Sequence, residues 1–317
     1  MASIDTIEEK PSHPVHTEEF DFFNLDNLEY KKYGDIQLES FWLPKDVNHT
    51  SDRKDFQDLP KSVQRALELV IGFFFFGDGF VFNKIESCLE KGFDSRAGQY
   101  TYAIFKAVEI CIHAQSYGIQ LDTIVTDPKR KKELRYAVTE IPSIRNLRQW
   151  AEKYFDCDKY SRLDRVVTGL GFEGIFFSSA FAFIYWIAET FPGKMVGIVA
   201  DNSFIARDEN THCQFACAQV RNEGLSNAPH AEEILRSAVD ISCEFVRDLL
   251  SYGDMPGMNI EMMVRHVKSV ANRWAMLIGL KALYPDCLTT PFDFMTKISM
   301  GVKKNMFEKD VGEYQKA

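Results

Sequence analysis

Several acids and histidines occupy positions where solvated charges are not expected. Asp78 sits inside GFFFFGDGFVF, and on a helix it shares a face with Ile71, Phe74, Phe82 and Ile85. Glu109, His113 and Tyr117 follow at i, i+4 and i+8 in VEICIHAQSY, near one helical line. Glu173 is the only charge between Val166 and Ala188. Glu209 and His212 form an ExxH pair in FIARDENTHCQFAC, on one stripe with Ile205 and Ala216. A buried carboxylate must be paired, protonated or bound to a metal. Each signal has a plain alternative: a single hydrogen bond or helix cap for Asp78, a satisfied core histidine for His113, a salt bridge to a buried Arg for Glu173, chance spacing for the ExxH pair.

Together they are more specific. A di-metal carboxylate bundle takes one acid from each of two helices and an acid with a nearby His from each of two others. Here the order is Asp, Glu/His, Glu, Glu/His along the chain. Hard carboxylates with two imidazoles suit iron or manganese, and no Cys cluster points to an iron–sulfur site. Two divalent ions would also account for so many buried acids.

The elements that must position these groups read as helices. Asp58 and Pro60 signal the start of one running to about Glu90. Others are expected over 96–123, 129–155 (one or two, around Pro142), 160–190, 194–222, 229–253 and 258–282. About seven long helices with short connections imply an all-α bundle. Residues 1–20 read as a flexible tail, and 21–317 as a single domain.

The chain has 317 residues, 45% of them hydrophobic, enough for a sizeable core. A net charge of -9 disfavours nucleic acid as a direct partner. Seven scattered cysteines without a CxxC pair suggest reduced thiols. The polar, acidic start is not a secretory signal, so a cytoplasmic location is expected. The apolar run 166–188 approaches the length of a membrane span, about 20 residues. Its Glu, glycines and hydroxyls favour a buried helix, and no membrane is expected.

Over about residues 25–317 the sequence resembles the class I ribonucleotide reductase small subunit. The likeness rests on SFWLPKDV, FFFFGDGFV, the Glu109–Tyr117 segment, FEGIFFSSAFAFIYWI, IARDENTHCQFAC and FEKDVGEYQ. RDE-x-x-H-C-x-F-A-C and F-E-G-I-F-F-S are specific to that family among ferritin-like proteins. The resemblance implies a ferritin-like bundle with two iron ions, or manganese, on Asp78, Glu109, His113, Glu173, Glu209 and His212. It implies a stable radical on Tyr117, generated with dioxygen and passed to a large catalytic subunit that reduces ribonucleotides. Trp42 and Asp208 would link His113 to the surface, and Phe177, Phe181 and Ile205 would line an apolar radical pocket. Ordinary packing is the alternative for Trp42 and the Phe residues. The family forms homodimers. No nucleotide site is expected on this chain, which has no phosphate-cradling Gly loop.

Two departures from the family pattern stand out. The first pair is ExxxH here and ExxH in the family. Either a π-bulge absorbs the extra residue and Glu109 still ligates, or the shared Glu is lost; i,i+4 keeps both side chains on one face and favours the first. The family also continues past its VGEYQ-like segment into a mobile tail with a relay tyrosine and a docking peptide. Here the sequence stops at Ala317, and Tyr314 is not that tyrosine. A truncated sequence or a different coupling to the partner is expected. Two alternatives to a radical subunit remain: a radical-incompetent supporting subunit of the same complex, or a di-iron oxidase acting on an organic substrate.

Overall fold

The computed structural model describes residues 26–295. The expected tail at 1–20 and the FEKDVGEYQ segment with Tyr314 lie outside them. The described residues are helical, with one isolated bridge, Met255 to Met258, and no strand.

The helices are α1 (Leu28–Glu39), α2 (Asp52–Asp58), α3 (Lys61–Leu89), α4 (96–124), α5 (Pro128–Arg135), α6 (Ala137–Glu140), α7 (Pro142–Tyr154), α8 (Arg162–Thr190), α9 (Val196–Glu223), α10 (Ala231–Leu249) and α11 (Ile260–Leu277). The long elements match the sequence expectation. The region 129–155 divides further than expected, into α5, α6 and α7, and α1 and α2 are additional. The four helices carrying the acid stripes, α3, α4, α8 and α9, pack around one centre. α1 covers α4 and α9, while α10 packs on α7, α8 and α11.

Three of the four central helices contain a π turn: Ile85–Leu89 in α3, Glu109–His113 in α4 and Phe172–Phe176 in α8. A π turn holds one residue more per hydrogen-bonded ring and leaves backbone groups to be satisfied elsewhere. Side chains do this at two of the three, in α3 and α8. Arg165 Nε donates to the Cys88 carbonyl at 3.0 Å, and Trp274 Nε1 donates to the Gly174 carbonyl at 3.2 Å. Gly174 allows that approach, since a Cβ there would lie 2.6 Å from Trp274 Nε1.

α9 is regular over 28 residues. Its start is held from α2: Asp52 accepts from Gly197 N at 3.1 Å and Ile198 N at 2.9 Å, two of the free amides of a helix N-terminus. α8 begins with a Ser161/Asp164 capping box. α3 and α8 are long and apolar enough to cross a membrane, but 61% and 94% of their most apolar windows are buried inside the protein. Their apolar surface is the core of the bundle.

Candidate metal centre

Asp78 comes from the middle of α3, Glu109 and His113 from the π turn of α4, Glu173 from the π turn of α8, and Glu209 and His212 from α9. The fold brings all six together, in two overlapping sets: Asp78, Glu109, His113 and Glu209; then Glu109, Glu173, Glu209 and His212. The ligand atoms of each set lie within 4.8 Å of one another, and Glu109 and Glu209 belong to both. His113 Nδ1 is 3.1 Å from Glu209, 3.6 Å from Asp78 and 3.7 Å from Glu109. His212 Nδ1 is 3.3 Å from Glu109, 3.4 Å from Glu209 and 3.8 Å from Glu173.

The alternatives to a metal site meet specific observations. Both oxygens of Asp78, Glu109 and Glu209, Nδ1 of His113 and both ring nitrogens of His212 are buried without a hydrogen bond. So many bare polar atoms in one place are costly, and native proteins rarely leave them so. Asp78 is therefore neither a cap nor a simple hydrogen-bonded acid. Arg165, the buried arginine on α8, gives its donors to the carbonyls of Cys88, Tyr160 and Lys91, not to Glu173. Six hard oxygen and nitrogen donors around one point fit one or two transition-metal ions. Glu173 and His212 also line a cavity of about 20 Å³ with Tyr102 and Phe105, space for one water-sized ligand.

The electrostatics carry the same message. Burial, then the charge of Glu109, pushes Asp78 well above the carboxylate range; burial and Glu209 do the same to Glu173. Burial also opposes ionisation of Glu109, but His113 and His212 outweigh it and hold its carboxyl low. Burial disfavours charge on both imidazoles, yet the surrounding carboxylates raise both well above the ordinary histidine value. The protein thus places several acids where they repel one another, an arrangement that a cation relieves.

Around the cluster, Asp208 Oδ2 accepts from Trp42 Nε1 at 2.8 Å and lies 3.3 Å from His113 Nε2. Arg207 donates to Asp208 Oδ1 at 3.2 and 3.0 Å and to the Ser40 carbonyl at 2.6 Å. Burial works against the Asp208 charge, but the His113 hydrogen bond and the charges of His113 and Arg207 keep its pKa low. Tyr117 is fully buried. Its ring stacks on Phe74 at 4.8 Å and 9°. Phe74 in turn contacts Phe177 at 5.2 Å and Phe181 at 4.9 Å. Ile205 is also fully buried, on α9 three residues before Asp208. Burial, then the charge of Asp78, pushes the Tyr117 phenol well above its ordinary value.

Sequence reasoning missed Phe74 as the ring on Tyr117, although its place on the Asp78 stripe marked it. It also missed Arg207, and the polar side chains Asn202 and Gln120 beside Tyr117, which carry no periodic signal.

Fold and cluster together define a class of ferritin-like helical proteins whose core holds carboxylate and histidine ligands for metal ions. The pattern of the family described as "Ribonucleotide reductase, small chain" matches residues 19–291. The ribonucleoside-diphosphate reductase small chain of Variola virus is 36% identical over 283 residues, 87% of this chain and 85% of that protein. Dimanganese(II)-NrdF from Streptococcus sanguinis superposes with a TM-score of 0.75 at 17% identity, covering 86% of this chain and 96% of the other. A ribonucleotide reductase homodimer from Saccharomyces cerevisiae gives 0.74 at 22%, covering 89% and 88%. The chain belongs to the ribonucleotide reductase small-chain family.

Proposed function

We propose that this chain is the radical-generating small subunit of a ribonucleoside-diphosphate reductase, holding two iron ions, or manganese, beside Tyr117. The observation that carries this reading is the pair of ligand sets sharing Glu109 and Glu209, with buried donor atoms that no protein group satisfies. Asp78 and His113 would serve one ion and Glu173 and His212 the other, with Glu109 and Glu209, which belong to both sets, available to each. Bound iron supplies the reduction of dioxygen that removes an electron from a nearby tyrosine. The chain supplies the rest. Tyr117 is the residue oxidised, and the Phe74, Phe177, Phe181 and Ile205 surround keeps water and reductants from it. Asp208 orients the His113 ring and joins it to Trp42, whose side chain is 7% exposed, as a route for electron and proton transfer with a large catalytic subunit.

A homodimer fits the outer face of α4, where Ala103, Ala107, Ile110, Cys111 and Ile119 are exposed together. Seven free cysteines fit a reducing cytoplasm.

The test is anaerobic Fe(II) loading followed by dioxygen, with iron counted per chain and the electron paramagnetic resonance spectrum recorded. About two ions and a tyrosyl signal that Tyr117→Phe abolishes are expected. Two ions without a radical would favour an oxidase. A protein that takes up no metal would be a supporting subunit.

A further inference from the structure

A buried polar chain leads from Tyr117 away from the carboxylate cluster. Tyr117 Oη donates to Asn202 Oδ1 at 3.4 Å. Asn202 Nδ2 donates to Gln120 Oε1 at 3.0 Å and to the Ile198 carbonyl at 2.8 Å. Gln120 Nε2 donates to Asp201 Oδ2 at 3.1 Å. The same oxygen lies 3.0 Å from His49 Nε2, and His49 Nδ1 lies 2.8 Å from Asp52 Oδ2. Asn202, Gln120, Asp201 and Asp52 are wholly buried.

The partners fix which way each amide points. The Ile198 carbonyl can only accept, so the nitrogen of Asn202 faces it. The Asn202 nitrogen needs an acceptor in Gln120, so the oxygen of Gln120 faces Asn202 and its nitrogen faces the Asp201 carboxylate. The Asn202 oxygen is thereby turned to Tyr117 and can only accept. All three links run in one sense, from phenol to carboxylate.

We propose that Asn202, held by Gln120, is a positioning residue that stabilises the reduced, protonated form of Tyr117 and leaves the oxidised form without a hydrogen bond on that side. The inference rests on the radical reading above. Forming a neutral tyrosyl radical removes one electron and the phenolic proton, both taken up in the reduction of dioxygen. The Asn202 amide is no base and does not keep the proton. After oxidation two acceptor oxygens face each other, so the contact that favoured the phenol no longer favours the radical. The amide chain therefore makes Tyr117 harder to oxidise and, once oxidised, easier to reduce. At 3.4 Å this hydrogen bond is long, and the worth of an ordinary one, about fivefold in such an equilibrium, is its upper limit.

Two measurements test this. In the metal-free protein, thermal melts of Tyr117→Phe, Asn202→Leu and the double variant form a cycle. The double variant is expected to lose less than the two single losses together, and Gln120→Leu serves in place of Asn202→Leu if that chain does not fold. In the iron-loaded protein, loss of the tyrosyl signal to a fixed dose of a one-electron reductant is expected to slow in Asn202→Leu, by up to about fivefold. Additive melts or an unchanged reduction rate would overturn the proposal while the radical reading stands. A wild-type chain with no radical removes that reading and this proposal with it, and the melts then report only a structural contact.

Discussion

α4 and α9 each deliver one glutamate and one histidine to the same centre, by different local geometry. α9 does it at i,i+3 within a regular helix. α4 does it at i,i+4 through a π turn, with Ile110 and Cys111 on the exposed side. Both glutamates end up in both ligand sets. The extra residue of α4 has therefore been absorbed within one turn and has not rotated the helix beyond it. A π turn separates the spacing of a motif from the direction of its side chains, and an ExxxH segment can present what ExxH presents elsewhere.

The largest expected effect comes from deleting one residue in each helix. Deleting Asn210 from regular α9 turns everything beyond it by about 100°. That moves His212, Phe215 and Cys217 off their faces, and no cooperative melt is expected. Deleting Cys111 from the π turn of α4 restores ExxH and returns the turn to α geometry. That variant is expected to melt within a few degrees of wild type and to keep its metal capacity. Equal damage in both would mean that the π turn does not absorb the inserted residue.

Next in size is the effect of removing ligands. Glu109 and Glu209 are shared between the sets, so Glu109→Gln or Glu209→Gln should abolish stoichiometric binding of both ions. Asp78→Asn and Glu173→Gln each touch one set, and one ion should remain. Metal analysis after gel filtration reads the difference. Retention of one ion in Glu109→Gln would make α4 the lesser partner and break the equivalence drawn above.

A smaller loss is expected from Trp42→Phe, which removes the 2.8 Å bond to Asp208. Metal content and the tyrosyl signal should persist, while turnover with the large subunit falls by about 10–100-fold, as when outer partners of a metal ligand are lost. A matching loss of metal would reduce Trp42 to a packing residue for His113.

The centre was more legible in the sequence than its surroundings. Asp78, Glu109, Glu173 and Glu209 were visible because a charge on an apolar stripe contradicts its own pattern. The register of α4 was not fixed by spacing, since ExxxH on an α-helix and on a π turn are the same letters. α1 was missed because LEYKKYGDIQLE shows little apolar periodicity; Asn27 caps it, and packing on α4 and α9 supplies the rest. The chain from Tyr117 to His49 was invisible because Gln120 meets Asp201 across 81 residues and His49 meets it across 152. No local pattern encodes such meetings.

The smallest effect concerns the heads of the two helices: an acid from outside holds each, Asp26 for α4 and Asp52 for α9, but only Asp52 is backed by a histidine. His49 sits between Asp52 and Asp201, and its side chain is 9% exposed. Burial pulls its pKa down, but the hydrogen bonds and charges of Asp201 and Asp52 outweigh that and raise it from 6.5 to about 9. A folded value above the unfolded one means the charged imidazole binds its proton more tightly in the folded state. The stabilisation is then complete below about pH 6.5 and declines as pH rises through about 9. Metal-free protein is expected to melt a few degrees lower at pH 9 than at pH 6.5, and His49→Gln should flatten that slope. For a domain of this size, about 2–4 °C corresponds to 1 kcal/mol. The same decline in His49→Gln would place the titration elsewhere. A flattened slope would assign the titration to His49, the partner of the Asp52 carboxylate that caps α9.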